Sequence, residues 1–221
     1  MTTAEHTSPE PEPEPAFEPA FEPGAGRADT AGTTSTAAGT TAPGDAIVPD
    51  TKDWTWVLER PCADCGLDSG AVVREDVAGM VRANAAGWTA VLAGDGRALR
   101  RRPSPEIWSD LEYACHVRDV FRLFRVRLDL MLEQDDPLFA NWDQDETAVA
   151  ERYGEQEPAV VAGELAEAAE LLAAAFEGVS GDRWARTGNR SDGARFTVES
   201  FARYLIHDPV HHLYDVTGER V

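Results

Sequence analysis

The sequence predicts an all-α protein, a four-helix bundle with a long crossover between its second and third helices. Three observations carry that reading. Four segments read as amphipathic helices, three of them begin or end with recognisable capping chemistry, and irregular segments join them.

The first helix is expected over residues 73–92. Val73, Val77, Met80, Val81, Ala85, Trp88, Val91 and Leu92 recur at three- and four-residue steps, while Arg74, Glu75, Arg82 and Asn84 take the other faces. The second is expected from Ser109 to about Glu133. Ser109-Asp-Leu-Glu112 has the form of a capping box, in which hydroxyl and carboxylate satisfy each other's backbone donors, and Trp108 is placed to staple onto Tyr113. The third opens at Pro158, whose fixed φ suits a first turn, runs through Val161, Leu165, Ala168, Leu172, Ala175 and Phe176, and stops near Gly178 or Gly181. The fourth starts after Thr197 and reaches Gly218, a residue suited to a helix end.

Residues 134–157 form a longer link than antiparallel neighbours need. They are expected to cross over one end of the bundle, anchored by Phe139, Trp142 and Tyr153, as a stapled surface loop or as a lid over a pocket. Trp54-Thr-Trp56-Val-Leu58 is read in the same way, as packing material or as a pocket wall.

Residues 1–52 read differently from the rest. Glu-Pro alternation up to Pro23, followed by Thr, Ala and Gly without period, offers too little apolar surface to offset chain entropy, so a disordered acidic tail precedes a domain over residues 53–221. Residues 1–50 hold nine acidic residues and one basic one, and thus −8 of the formal net charge of −20. So acidic a chain repels phosphate backbones and anionic lipid, which argues against nucleic-acid and membrane partners. No apolar run approaches a membrane span and no secretion signal is evident, so a cytoplasmic location is expected. Three cysteines fit a reducing compartment better than a disulfide framework.

Chemistry concentrates at the C-terminal end, where His207-Asp-Pro-Val-His211-His212-Leu-Tyr-Asp215 contains three of the five histidines. On a helix His207 and His211 share one face and together supply half of a tetrahedral metal site. His212 lies about 100° further round and is read as a surface or interhelical contact. Pro209 lacks a backbone N–H, so a kink or restart is expected there, with Asp208 capping the restarted turn.

Tyr113-Ala-Cys-His116-Val-Arg-Asp119 on the second helix, together with this last segment, resembles the DinB-like superfamily of metal-binding four-helix bundles. The resemblance covers residues 53–221. It implies a divalent metal, zinc or nickel, held by His116, His207 and His211, with positions left for water or a thiol. It also implies relatives that transfer or isomerise with low-molecular-weight thiols such as bacillithiol and mycothiol. The nearly exclusive use of Arg, with Lys52 the single lysine, points to a high-GC bacterium and hence to mycothiol. The function expected is thiol S-transfer onto a small electrophile. A non-catalytic metal- or ligand-binding bundle, pairing with a second copy through helix faces, is the alternative.

Asp215 and Asp119 are within reach of orienting ligand imidazoles, and Arg118 is expected to pair with an acid on the next helix. Cys62-Ala-Asp-Cys65 is half of a zinc site or a dithiol. Cys115 and His116 would complete a competing three-cysteine, one-histidine set with it.

Overall fold

In the computed structural model, Ile47 and residues 53–221 are described. The acidic tail expected over residues 1–52 lies, Ile47 apart, outside the described residues. Among the described residues six α-helices follow one another: α1 (Val77–Leu92), α2 (Gly96–Leu99), α3 (Asp110–Glu133), α4 (Gln144–Ala150), α5 (Pro158–Glu177) and α6 (Val198–Thr217). Four of them, α1, α3, α5 and α6, make the bundle. Both α1 and α3 pack on α5 and on α6, while α1 and α3 touch each other only lightly. Helices α1 and α3 therefore sit on one diagonal and α5 and α6 on the other, while α3 and α5, joined by the long crossover, are neighbours.

The expected boundaries hold because their local chemistry forms. At the start of α3, the Ser109 backbone N–H donates to Glu112 Oε2 at 2.8 Å while Ser109 Oγ accepts from the Glu112 N–H. Trp108 meets Tyr113 edge-on with ring centroids 5.5 Å apart, which is the staple. Pro158 opens α5, and Gly178 stands at its C-terminal cap. Thr197 caps α6 with Ser200 as its reciprocal partner, and Gly218 ends the helix at φ +72°. The first predicted helix loses its opening turn: Arg74–Asp76 are a 3-10 turn ahead of α1.

One expectation fails in an instructive way. Pro209 lies inside α6, which runs unbroken from Val198 to Thr217. The ring is buried, and the Asn84 side-chain amide on α1 donates to the Pro209 carbonyl at 2.8 Å. Tertiary packing and this cross-helix bond offset the missing N–H, so Asp208 is not a cap but an ordinary mid-helix residue.

The crossover contains α4 and, instead of passing over one end of the bundle as expected, runs back along α3: the Ala140 carbonyl accepts from Arg127, Trp142 stacks on His116 and the Tyr153 hydroxyl donates to Asp119, with Phe139 and Tyr153 buried as anchors. A hairpin not foreseen in the sequence holds it. Strands β1 (Thr187–Asn189) and β2 (Arg195–Thr197) pair antiparallel with Gly188 opposite Phe196. Asn189 then exchanges backbone bonds with the crossover, accepting from Phe139 N–H and donating to Pro137 C=O, each at 2.8 Å. Gly188 is required there, because a Cβ would come within 2.5 Å of the Phe139 ring and 2.8 Å of Met131. Among the described residues no helix is long and apolar enough to cross a membrane.

Candidate metal centre

The i,i+4 spacing operates twice on α6, one residue apart, and the bundle separates the two faces. His207 and His211 face the N-terminal segment, where their ligand nitrogens cluster with the thiols of Cys62 and Cys65. Asp208 and His212 face α3, where they cluster with His116. Within each group the candidate ligand atoms all lie within 4.8 Å of one another. The expected set of His116, His207 and His211 is therefore not assembled. Each residue advances about 100° round a helix, and the face turned toward His116 is that of residues 208 and 212. The pairing of His207 with His211 stands, but its companions are cysteines.

His116, Asp208 and His212 make a two-imidazole, one-carboxylate set. His116 is fully buried, and neither ring nitrogen has a hydrogen-bond partner. Its Nε2 lies 3.3 Å from Asp208 Oδ1, but off the line a hydrogen bond needs, so that oxygen too is buried without a partner. Leaving such groups unmatched costs about 1–3 kcal/mol each, more where charge is involved. Burial opposes the Asp208 charge, yet His116 and His212 outweigh it and hold the carboxyl well below the usual carboxylate range. The three ligand groups converge while His116 and Asp208 leave each other unsatisfied, which is an arrangement a divalent cation fits.

Aromatic rings hold these side chains in place. Trp142, from the crossover just before α4, stacks on His116 at 5.5 Å with planes inclined by 13°, and Trp108 tilts against the same ring at 5.2 Å. Tyr113 lies 4.9 Å from His212. Asp143 fixes the approach of Trp142 by accepting from the N–H groups of Asp145 and Glu146. The crossover is thus both stapled loop and pocket wall.

Asp215 orients the His212 ring, lying 3.0 Å from its Nδ1 through Oδ2, while Oδ1 lies 3.7 Å from His211 Nε2. The expected supporting role of Asp215 therefore extends to two rings. Asp119 does not support His116: it accepts from Arg118, Arg122 and the Tyr153 hydroxyl. Arg118 also donates to Glu164 on α5 at 2.7 Å, the interhelical pairing anticipated for it.

A cavity of about 570 Å³ opens over the site, lined by Trp54, Trp108, Trp142, Asp208 and His212 among others. Arg127 and Arg190 line it too. Arg127 donates to the Ala140 carbonyl, while its Nε is buried without a partner and burial pushes the guanidinium down to about 10. Arg190 is neutralised in part by Asp192.

In the second cluster, Cys62 Sγ lies 3.6 Å from His211 Nδ1, and Trp54 packs on both imidazoles at 5.2 and 5.3 Å. Burial, reinforced by His211, pushes His207 down to about 4, and burial lowers His211 as well. Burial also pushes the Cys65 thiol up to about 11. Cys115 belongs to neither cluster: its thiol faces the Tyr153 carbonyl and Gln156 Oε1, so the set it was expected to share with Cys62, Cys65 and His116 does not form.

Asp208 and His212 were the residues sequence reasoning missed as ligands. The signal was present, since they repeat the four-residue spacing of His207 and His211, but nothing in the sequence told which of the two faces turns toward His116.

A family model of the DinB superfamily matches residues 80–216. Among solved structures, YfiT from Bacillus subtilis, described as a probable metal-dependent hydrolase with an unusual four-helix bundle topology, is similar in fold. The TM-score is 0.60 at 17% identity, over 66% of this chain and 84% of that one. No curated protein sequence matches the chain.

Proposed function

The chain belongs to the DinB superfamily, and on that premise we propose that it is a metal-dependent enzyme transferring a low-molecular-weight thiol, mycothiol, to a small electrophile. One observation carries the metal-dependent part. His116, Asp208 and His212 converge beside a cavity, and both His116 ring nitrogens and Asp208 Oδ1 are buried without a hydrogen-bond partner. A divalent ion held there, zinc or nickel, supplies Lewis acidity, which makes a coordinated thiol or water acidic enough to act as a nucleophile near neutral pH.

The protein's own groups define the rest. Trp108 and Trp142 fix the His116 ring, and Asp215 fixes His212, so the ligands are positioned before substrate arrives. The aromatic wall offers apolar surface, and the guanidinium of Arg127, which lines the cavity, offers positive charge to an anionic group on either substrate. This suits a small molecule with an apolar body and a carboxylate. A thiol cosubstrate and three free cysteines fit a reducing compartment, the cytoplasm.

Hydrolysis is the second reading, favoured by the description of YfiT, the similar solved structure. The test is to load the protein with zinc or nickel and supply mycothiol with monobromobimane or a comparable electrophile, following the S-conjugate by mass spectrometry. Metal-dependent acceleration that disappears in His116→Ala and Asp208→Asn supports thiol transfer. Turnover of an ester and amide panel without thiol, lost in the same variants, selects hydrolysis. Inactivity in both assays with metal bound leaves a non-catalytic metal-binding bundle.

A further inference from the structure

We propose that Cys62, Cys65, His207 and His211 form a second metal site, a closed tetrahedral zinc site that fastens the N-terminal segment of the domain to α6. It is separate from the set of His116, Asp208 and His212, and shares no ligand with it.

The residue types and their spacing are those of a structural zinc site: Cys-x-x-Cys in one segment and His-x-x-x-His on a helix. Tertiary structure then joins halves of the chain that are 149 residues apart at Cys62 and His211. Zinc bonds of about 2.3 Å to sulfur and about 2.0 Å to nitrogen require ligand atoms separated by roughly 3.3–3.8 Å at tetrahedral angles. Cys62 Sγ and His211 Nδ1 are already 3.6 Å apart, and the whole set lies within 4.8 Å, so any pair has to converge by at most about 1–1.5 Å for closure.

Local backbone supports the same geometry. After Cys65 the chain turns at Gly66, with φ +88°, and the Gly66 N–H donates to the Cys62 carbonyl at 3.0 Å while the Cys62 N–H donates to Leu67 C=O at 2.9 Å. That tight loop brings two thiols to one side. The end of the chain closes over it: Val221 N–H donates to the Cys65 carbonyl and Arg220 to the Ala63 carbonyl. Cys62, Cys65 and His207 are buried, and His207 Nε2 has no hydrogen-bond partner. His211 presents Nδ1 to the thiol and Nε2 toward Asp215, the arrangement in which a carboxylate orients a ligating imidazole.

Four protein ligands leave no position for substrate, so this zinc is structural. Its consequence is positional. Holding His207 and His211 to the N-terminal segment fixes the rotation of α6, and with it Asp208 and His212 on the adjacent face.

Cobalt substitution of the full chain tests this directly. Wild type is expected to show thiolate-to-cobalt charge-transfer absorption in the near ultraviolet, of an intensity matching two sulfur ligands, with the strong visible bands of a tetrahedral ion. Those bands should persist in His116→Ala/His212→Ala, which removes the other site, and be lost in Cys62→Ser/Cys65→Ser. If the latter variant is insoluble, retention of the bands in Cys115→Ser assigns them to Cys62 and Cys65 by elimination. A wild-type cobalt spectrum without thiolate bands, or bands that survive in Cys62→Ser/Cys65→Ser, overturns the proposal while leaving the enzyme reading untouched.

Discussion

Trp142 lies flat on His116, its ring centroid 5.5 Å away and its plane inclined by 13°. The tryptophan belongs to the crossover and the histidine to α3, so the lid segment and the site are joined by one stacked pair. Such pairs contribute about 0.5–1.5 kcal/mol beyond area burial. Trp142→Ala is expected to lower stability by about 1 kcal/mol, seen as a reduced denaturation midpoint, and to weaken substrate affinity more than it slows turnover. An unchanged KM would show that the ring does not wall the substrate site.

Asp215→Asn keeps the size of the side chain but removes the charge that orients His212. Loss of such a supporting carboxylate lowers metal affinity by about 10- to 100-fold. Competition against a chromophoric chelator measures this, and affinity within twofold of wild type would remove Asp215 from the support of the site.

Acid stability depends on Glu112. Burial opposes its charge, but Arg102 and the Ser109 cap prevail and hold its pKa below the ordinary value. A depressed carboxyl contributes stability that is complete above the unfolded-state pKa and is lost as pH falls through the folded one. Wild type is expected to lose stability below about pH 5. Glu112→Gln is expected to start about 1–3 kcal/mol less stable at neutral pH and to show a flatter acid limb. Denaturant midpoints across pH 3–7 decide it, and parallel curves for the two proteins would contradict the assignment.

Gly188→Ala introduces a methyl group where the Phe139 ring and Met131 leave no room. A cost of about 1–3 kcal/mol is expected from overpacking. Because the hairpin holds the crossover, hydrogen exchange should rise around Phe139 as well as at the mutated strand. Protection unchanged at Phe139 would uncouple the two.

Much of the bundle was legible because its signals are local. Ser109 and Glu112 sit three residues apart and can be recognised without knowing what surrounds them, and so can Pro158 at the start of α5. The β1–β2 hairpin was not, since three-residue strands containing Gly188 carry no alternation and derive their order from Phe139 and Pro137, about fifty residues earlier. Pro209 misled for a related reason: its local effect is helix breaking, and the compensating bond comes from Asn84 on another helix. The site was half legible. Helical geometry pairs His207 with His211 and equally Asp208 with His212, but which pair meets His116 depends on how α6 is rotated in the bundle, and that is decided by tertiary contacts with α1, α3 and the N-terminal segment.

The distance in sequence between Cys62 and His211 also has a meaning for biosynthesis. The two residues meet across 149 positions, and at 5–20 residues per second a ribosome needs about 7–30 s to supply the second after the first. During that interval the two cysteines lack the histidines of α6, and their thiols stay open to oxidation or to other partners until that helix emerges.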